Sequence, residues 1–219
     1  MRFANLVAAL AIALPLATLP MTAAALDAGK DYQLLSPAQP TDSKGKVEVI
    51  EFFAYTCPHC FVLEPTLNAW ARKLPKNVVL KRQPVIFSDS WEPMARVYFA
   101  LKALGAVDKL HDDVFNAIHV EDKKLMDPDT FFDWGAKHGL DRAKLKAAYE
   151  SFTVNADIAR AKALARAYKL EGVPALAVNG KYLTSASMTG SHEKTLAVVD
   201  ALIKMESTPA KTNKAKKRK

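Results

Sequence analysis

The fold of this 219-residue chain is decided by residues 51–60, which read EFFAYTCPHC. The start of this stretch continues back to Val47 as a nearly unbroken run of β-branched and aromatic residues, a pattern that predicts a buried strand. Cys57 and Cys60 follow the strand, and they are the only cysteines of the chain. A Cys-x-x-Cys pair between a buried strand and the start of a helix is typical of thiol–disulfide exchange.

The two cysteines are predicted to have different roles. A helix is expected from about Cys57 to Leu74, and at its start the unpaired N–H groups and the positive end of the macrodipole favour a thiolate. The thiolate is the nucleophilic form, so Cys57 is the predicted nucleophile and the site of a mixed disulfide. Cys60 lies one turn deeper on the same side and is the predicted resolving cysteine. An inert structural pair is the alternative.

The dipeptide between the cysteines predicts an oxidant. The imidazole of His59 can donate a hydrogen bond or a positive charge to the Cys57 thiolate. Each unit by which the pKa of Cys57 falls below the ambient pH makes the disulfide more oxidising by about 1.4 kcal/mol. Pro58 removes one N–H and fixes the first helical turn. The alternative is that His59 is a surface histidine with little effect.

Residues 1–25 have the pattern of a cleaved secretory signal peptide. Arg2 precedes an apolar run over residues 6–19, and residues 23–25 are the small residues expected at a cleavage site. Two prolines interrupt this region, and it is short for a membrane span of about 20 residues, so an uncleaved anchor is the less favoured alternative. We therefore predict export to the periplasm, where disulfides persist.

The positive charge of the chain is concentrated near its C-terminus. The formal net charge is +8, but Lys211–Lys219 contains five lysines and one arginine without an acidic residue. The rest of the mature chain is nearly neutral, which argues against a nucleic-acid partner. Residues 207–219 are predicted to form a solvated, disordered tail, and weak attachment to an anionic membrane surface is the alternative.

A helical block is predicted to interrupt an α/β unit. Helical periodicity occupies residues 93–168, whereas strand patterns occur in residues 26–92 and 169–206. Asn179-Gly180 predicts a type I′ hairpin. The predicted order is strand, helix, strand, helical block, hairpin and final helix. Further predictions are a strand at 78–82, helix starts at Asp127, Asp141 and Asn155, and a last helix from about Glu193 to Met205.

Residues 51–60 closely resemble the active site of the DsbA family, periplasmic thiol–disulfide oxidases of the thioredoxin superfamily. Residues 172–175 (GVPA) and 178–182 (VNGKY) resemble the cis-proline loop and hairpin of the family, and residues 93–168 resemble its inserted helical domain. The resemblance implies a thioredoxin fold with this insertion, oxidation of cysteines in newly exported polypeptides and reoxidation by a membrane quinone reductase of the DsbB kind. It implies no bound cofactor.

The resemblance also implies three further site residues. The Val173–Pro174 bond is expected to be cis and to face the cysteines, with the Val173 backbone free to pair with an extended substrate. An ordinary trans proline at a strand start is the alternative. Glu51 matches a family acid thought to handle protons for the resolving cysteine, with Lys81 or Arg82 as its partner. The alternative is a strand-end acid that reaches solvent.

Three rival functions stay open. The first is an isomerase or reductase on the same fold, although such isomerases usually add a dimerisation domain; here a monomer is the default expectation. The second is a chaperone-like binding protein with incidental cysteines. The third is a metal carrier, which is disfavoured because a structural zinc site needs four ligands. The remaining histidines show no metal-ligand spacing with the cysteines; they are His111, His119, His138 and His192.

Overall fold

The computed structural model describes residues 26–207. The predicted signal peptide and the basic tail after Ser207 lie outside these described residues. Within residues 26–207, every helix is too short or too polar to cross a membrane.

One mixed sheet of five strands forms the centre of the fold, in the order β1-β5-β4-β2-β3. The strands are β1 Gln33–Leu34, β2 Val47–Phe53, β3 Val78–Pro84, β4 Ala175–Val178 and β5 Tyr182–Ser185. β2 lies between β3, which is parallel to it, and β4, which is antiparallel, and it is buried at every position because packed side chains cover both of its faces. This burial explains its nearly continuous apolar run, which only Glu48 and Glu51 interrupt. β1 was not predicted, since two residues carry no periodic pattern.

Eight helices surround the sheet in the described part of the chain, with one short 3-10 turn at Asp89–Trp91. They are α1 Pro58–Ala71, α2 Glu92–Ala103, α3 Val107–His119, α4 Pro128–Lys137, α5 Arg142–Tyr149, α6 Phe152–Ala167, α7 Ala186–Thr189 and α8 His192–Ser207. As the helical periodicity predicted, α2–α6 all lie between β3 and β4. Three predicted bounds were wrong: α1 ends before Leu74, β3 continues past residue 82 to Pro84, and α6 begins before Asn155.

The local sequence explains where several elements begin. Ser151 caps α6 because its side chain accepts a hydrogen bond from the N–H of Val154. The predicted caps Asp127 and Asp141 accept in the same way at the starts of α4 and α5. Asn179 and Gly180 have φ angles of 52° and 66°. Positive φ at both positions is what a type I′ turn requires, so this prediction is confirmed.

The helical block packs against the end of β2 that leads into the cysteines. Phe53, Tyr55 and Cys60 belong to one buried cluster with residues of α2–α6, including Val97 and Phe115. A second cluster joins α1 and α8 to the sheet. The turn between β2 and α1 therefore lies at the joint between the sheet and the helical block.

Candidate active site around Cys57 and Cys60

Cys57 occupies the N-cap position of α1. Its backbone is extended, with φ −85° and ψ 115°, and its Sγ accepts a hydrogen bond of 3.4 Å from the N–H of Cys60. Pro58 follows at the first helical position, where a missing N–H costs nothing. Both cysteines are free thiols, Cys57 half-buried and Cys60 fully buried. The structure therefore describes the reduced pair, with the N-terminal sulfur at the surface.

The surroundings shift the pKa values of the two thiols in opposite directions. The pKa of Cys57 is lowered to about 6, first by the hydrogen bond from the Cys60 side chain and then by backbone N–H groups, while burial opposes the change. The pKa of Cys60 is raised, first by burial and then by its contact with Cys57. Near neutral pH the pair therefore carries a thiolate on Cys57 and a thiol on Cys60.

His59 contributes less to this asymmetry than the sequence predicted. Its charge lowers the pKa of Cys57, but it is a smaller cause than the Cys60 thiol and the backbone N–H groups. His59 is exposed, so water screens its charge. Pro58 is exposed beside it.

The sheet brings residues 173 and 174 to the cysteines. β4 runs antiparallel to β2 with Ala175 opposite Phe52, so the loop before β4 meets the loop after β2. The Val173–Pro174 bond is cis, as predicted. The Sγ of Cys57 lies 3.5 Å from the carbonyl oxygen of Val173, within hydrogen-bonding distance.

A groove of about 600 Å³ opens beside this loop. His59, Val173, Leu183 and Met188 are among the residues that line it. Its lining combines apolar side chains such as Leu183 and Met188 with charged ones such as Lys169 and Glu171.

Glu51 is fully buried in β2, so the alternative of a solvent-reaching acid was wrong. Arg82 pairs with it in register, and Nε of Arg82 lies 3.1 Å from Oε2 of Glu51. This ion-pair contact lacks hydrogen-bond alignment, so neither oxygen of Glu51 accepts a hydrogen bond from the described residues. Lys81, the other predicted partner, binds Glu48 instead, at 2.7 Å. Burial, followed by repulsion from Glu64, raises the pKa of Glu51 well above its usual value.

A buried polar network beneath the cysteines was not predicted. Oε2 of Glu64 accepts from Nη2 of Arg82 at 3.0 Å, and its Oε1 lies 3.0 Å from Nε2 of His111. Nδ1 of the same imidazole lies 2.8 Å from the hydroxyl of Tyr55. Burial would raise the pKa of Glu64, but its interactions with His111, followed by those with Arg82, hold it below its usual value. One available signal was the position of His111 on the apolar face of α3.

Three ligand atoms of this network, from Glu51, Glu64 and His111, lie within 4.8 Å of one another. A cation is already present among them, because the guanidinium of Arg82 contacts both carboxyl groups. A structural zinc site also needs four ligands. The guanidinium therefore supplies the positive charge that a metal ion would bring to these carboxyl groups.

Known proteins share both the sequence and this architecture. Residues 76–197 match the family described as DSBA-like thioredoxin domain. The thiol:disulfide interchange protein DsbA of Bordetella parapertussis is 43% identical over 202 residues, covering 92% of this chain and 95% of that protein. The crystal structure of Pseudomonas aeruginosa DsbA has a TM-score of 0.79 at 40% identity, covering 83% and 94% of the two chains. NmDsbA1 of Neisseria meningitidis has a TM-score of 0.73 at 30% identity, covering 84% and 95%.

Proposed function

The chain belongs to the DsbA family of thiol:disulfide interchange proteins, and we propose that within this family it donates the Cys57–Cys60 disulfide to newly exported polypeptides. It is a thiol:disulfide oxidoreductase with the thioredoxin fold predicted from its sequence. The observation that supports the oxidising direction is the pKa of about 6 at Cys57. A stabilised thiolate favours the reduced pair, which makes the disulfide a strong oxidant.

The first step is attack by a substrate thiolate on Sγ of Cys57. A bond forms between the two sulfurs, the Cys57–Cys60 bond breaks, and its electron pair stays on Sγ of Cys60. Because Cys60 is buried, its thiolate takes up a proton. Glu51 is the proposed donor, since the pKa of its buried carboxyl group is raised and a negative charge on it would raise the pKa of the Cys60 thiol, which places the two groups near each other.

The second step releases the oxidised substrate. A second substrate thiolate attacks the substrate sulfur of the mixed disulfide, and Cys57 leaves as a thiolate. It leaves readily because its pKa is low. The substrate has lost two electrons, and the enzyme has gained them as one thiol and one thiolate.

The loop at Val173 and the adjacent groove are the proposed docking surface for the substrate backbone. Val173 precedes β4, and its N–H has no backbone partner among residues 26–207. An extended segment could add to the sheet there, and backbone pairing would suit many client sequences. His59 also lines this groove.

Reoxidation is proposed to come from a membrane quinone reductase of the DsbB kind, with the protein working in the periplasm. The oxidising role implies an oxidising compartment and an external electron acceptor. No bound cofactor and no nucleic acid enters this cycle, and a monomer is sufficient for it.

The test is equilibrium titration of residues 26–219 in glutathione buffers, with the thiol state read by trapping and mass. We expect the pair to stay reduced until the buffer is strongly oxidising, and the oxidised protein to oxidise a reduced peptide stoichiometrically. A disulfide that persists in reducing buffers would favour the reductase or isomerase. If Cys57→Ser kept full function in cells, the chaperone-like role would be favoured instead.

A further inference from the structure

Tyr55, His111 and Glu64 form a line of hydrogen bonds beneath the cysteines. Tyr55 precedes the cysteine pair, Glu64 lies on α1, and His111 lies on α3. The two bonds measure 2.8 Å and 3.0 Å, and all three side chains are buried. Water therefore cannot substitute for a lost partner, and each proton in the line has to be placed by the protein.

The partners determine where these protons lie. An ionised Glu64 can only accept, so Nε2 of His111 carries a hydrogen and donates it. The hydroxyl of Tyr55 then donates to Nδ1. With a neutral imidazole, both donors in the line, the Tyr55 O–H and the Nε2–H of His111, have an acceptor. A charged imidazole would donate from Nδ1 as well, and the Tyr55 hydroxyl has no other hydrogen-bond partner among the described residues. The hydroxyl of Tyr55 is thus satisfied as a donor only while Nδ1 of His111 accepts.

The neighbouring carboxyl groups of Glu64 and Glu51 differ in the hydrogen bonds that they accept. Glu64 accepts from both His111 and Arg82, whereas neither oxygen of Glu51 accepts a hydrogen bond from the described residues. Two adjacent buried carboxyl groups do not both ionise readily. The negative charge is therefore placed on Glu64, and the proton stays on Glu51.

We propose that Tyr55 and His111 are positioning residues that keep Glu64 ionised and Glu51 protonated, so that Glu51 holds a proton for the buried sulfur of Cys60. The inference rests on the proposed function, because it concerns the proton consumed when a substrate thiolate opens the disulfide. In that step the Cys57–Cys60 electron pair goes to Sγ of Cys60, the proton moves from Glu51 to that sulfur, and Glu51 is reprotonated from solvent.

Other titratable side chains lie on the helices that carry or contact His111. Tyr98 of α2 packs against the ring of His111, and its hydroxyl donates to the backbone carbonyl of Arg82 at 3.0 Å. On α3 itself, Asp112 accepts from Asn68, and Asp108 acts on Tyr98. Tyr98 therefore offers a matched control: it is a buried tyrosine in the same cluster whose hydroxyl does not bind His111.

The test is infrared difference spectroscopy of the reduced protein as a function of pH. The carboxylic acid band of Glu51 is identified by its loss in Glu51→Gln. In Tyr55→Phe the imidazole can accept a proton, so we expect the pH at which this band half-disappears to fall by about one unit or more, equivalent to about 1.4 kcal/mol. Tyr98→Phe should leave it unchanged. His111→Leu should lower it, and His111→Gln, which keeps an N–H donor, should restore it.

Equal shifts in the two tyrosine variants, or in the two His111 variants, would overturn the inference and leave only a packing role. The band does not depend on turnover, so the two proposals fail separately. If the wild-type protein oxidises peptides but the Glu51 band of Tyr55→Phe disappears at the same pH as that of wild type, the positioning role alone is refuted. Wild-type protein that fails to oxidise peptides refutes the proposed function, whatever the band does.

Discussion

The N–H of Cys60 points at the Sγ of Cys57 across 3.4 Å, and the Cys60 thiol is the largest cause of the lowered pKa of Cys57. Cys60 thus stabilises the thiolate of Cys57 whenever the pair is reduced. Because this interaction exists only in the reduced state, it favours reduction of the disulfide.

Removing the Cys60 thiol should therefore affect Cys57 more than removing His59. We expect Cys60→Ala to raise the pKa of Cys57 by about one unit or more, and His59→Ala to raise it by less, because water screens the exposed imidazole. Thiolate absorbance measured against pH gives both values. Cys60→Ser, which keeps a hydrogen-bond donor, is the control. The pKa of Cys57 in this variant should lie between the values in wild type and in Cys60→Ala. A larger effect of His59→Ala would restore the leading role that the sequence predicted for His59.

The reduced protein should gain stability over the oxidised protein as pH rises from 6 to 8. The pKa of Cys57 is about 6 in the fold and higher in the unfolded chain, so its contribution grows above pH 6 and is lost as pH falls through that value. Allowing for solvent screening, we expect the free energy of unfolding of the reduced protein to rise by about 1–2 kcal/mol relative to that of the oxidised protein. Urea unfolding of both redox forms at the two pH values measures it. A difference in unfolding free energy that is independent of pH would contradict the low pKa of Cys57.

Glu51→Gln should stabilise the protein at neutral pH while slowing disulfide exchange. The pKa of Glu51 is raised in the fold, so its carboxyl group must take up a proton on folding, and its cost to stability appears as pH rises above its usual value. We expect a gain of about 1–2 kcal/mol by urea unfolding. The control is Glu48→Gln on the same strand, which should destabilise because Glu48 binds Lys81 and Ser43. Destabilisation in Glu51→Gln would indicate an ionised carboxylate.

Met188→Glu should weaken polypeptide oxidation without changing the redox equilibrium. Met188 lines the groove beside Val173, so a carboxylate there would cost apolar contact with a bound segment. We expect the rate with an unfolded polypeptide to fall about tenfold, the equivalent of 1.4 kcal/mol, and the rate with a small dithiol to stay the same. Met205→Glu is the matched control, since Met205 is half-exposed on α8 and outside the groove lining. Equal losses in both variants would remove the groove from substrate binding.

The predictions that the structure confirms rest on short stretches of sequence. The nearly continuous apolar run of β2, the caps at Asp127 and Asp141 and the turn at Asn179-Gly180 depend on neighbours within a few residues. The same is true of Cys57, because a helix start is a local feature. The cis bond at Val173–Pro174 was predicted from a resemblance, since no local pattern requires it.

The sequence by itself determined the strand, the helix start and the two sulfurs three residues apart, because local backbone preference and hydrophobic periodicity act over one or two turns. Only the tertiary structure decided which buried acid accepts hydrogen bonds from the described residues and which does not. Glu64 meets Arg82 from 18 residues away and His111 from 47 residues away, and Tyr55 meets His111 from 56 residues away. Such contacts form only when β2, β3, α1 and α3 share one core, where low polarity makes each hydrogen bond decide a charge.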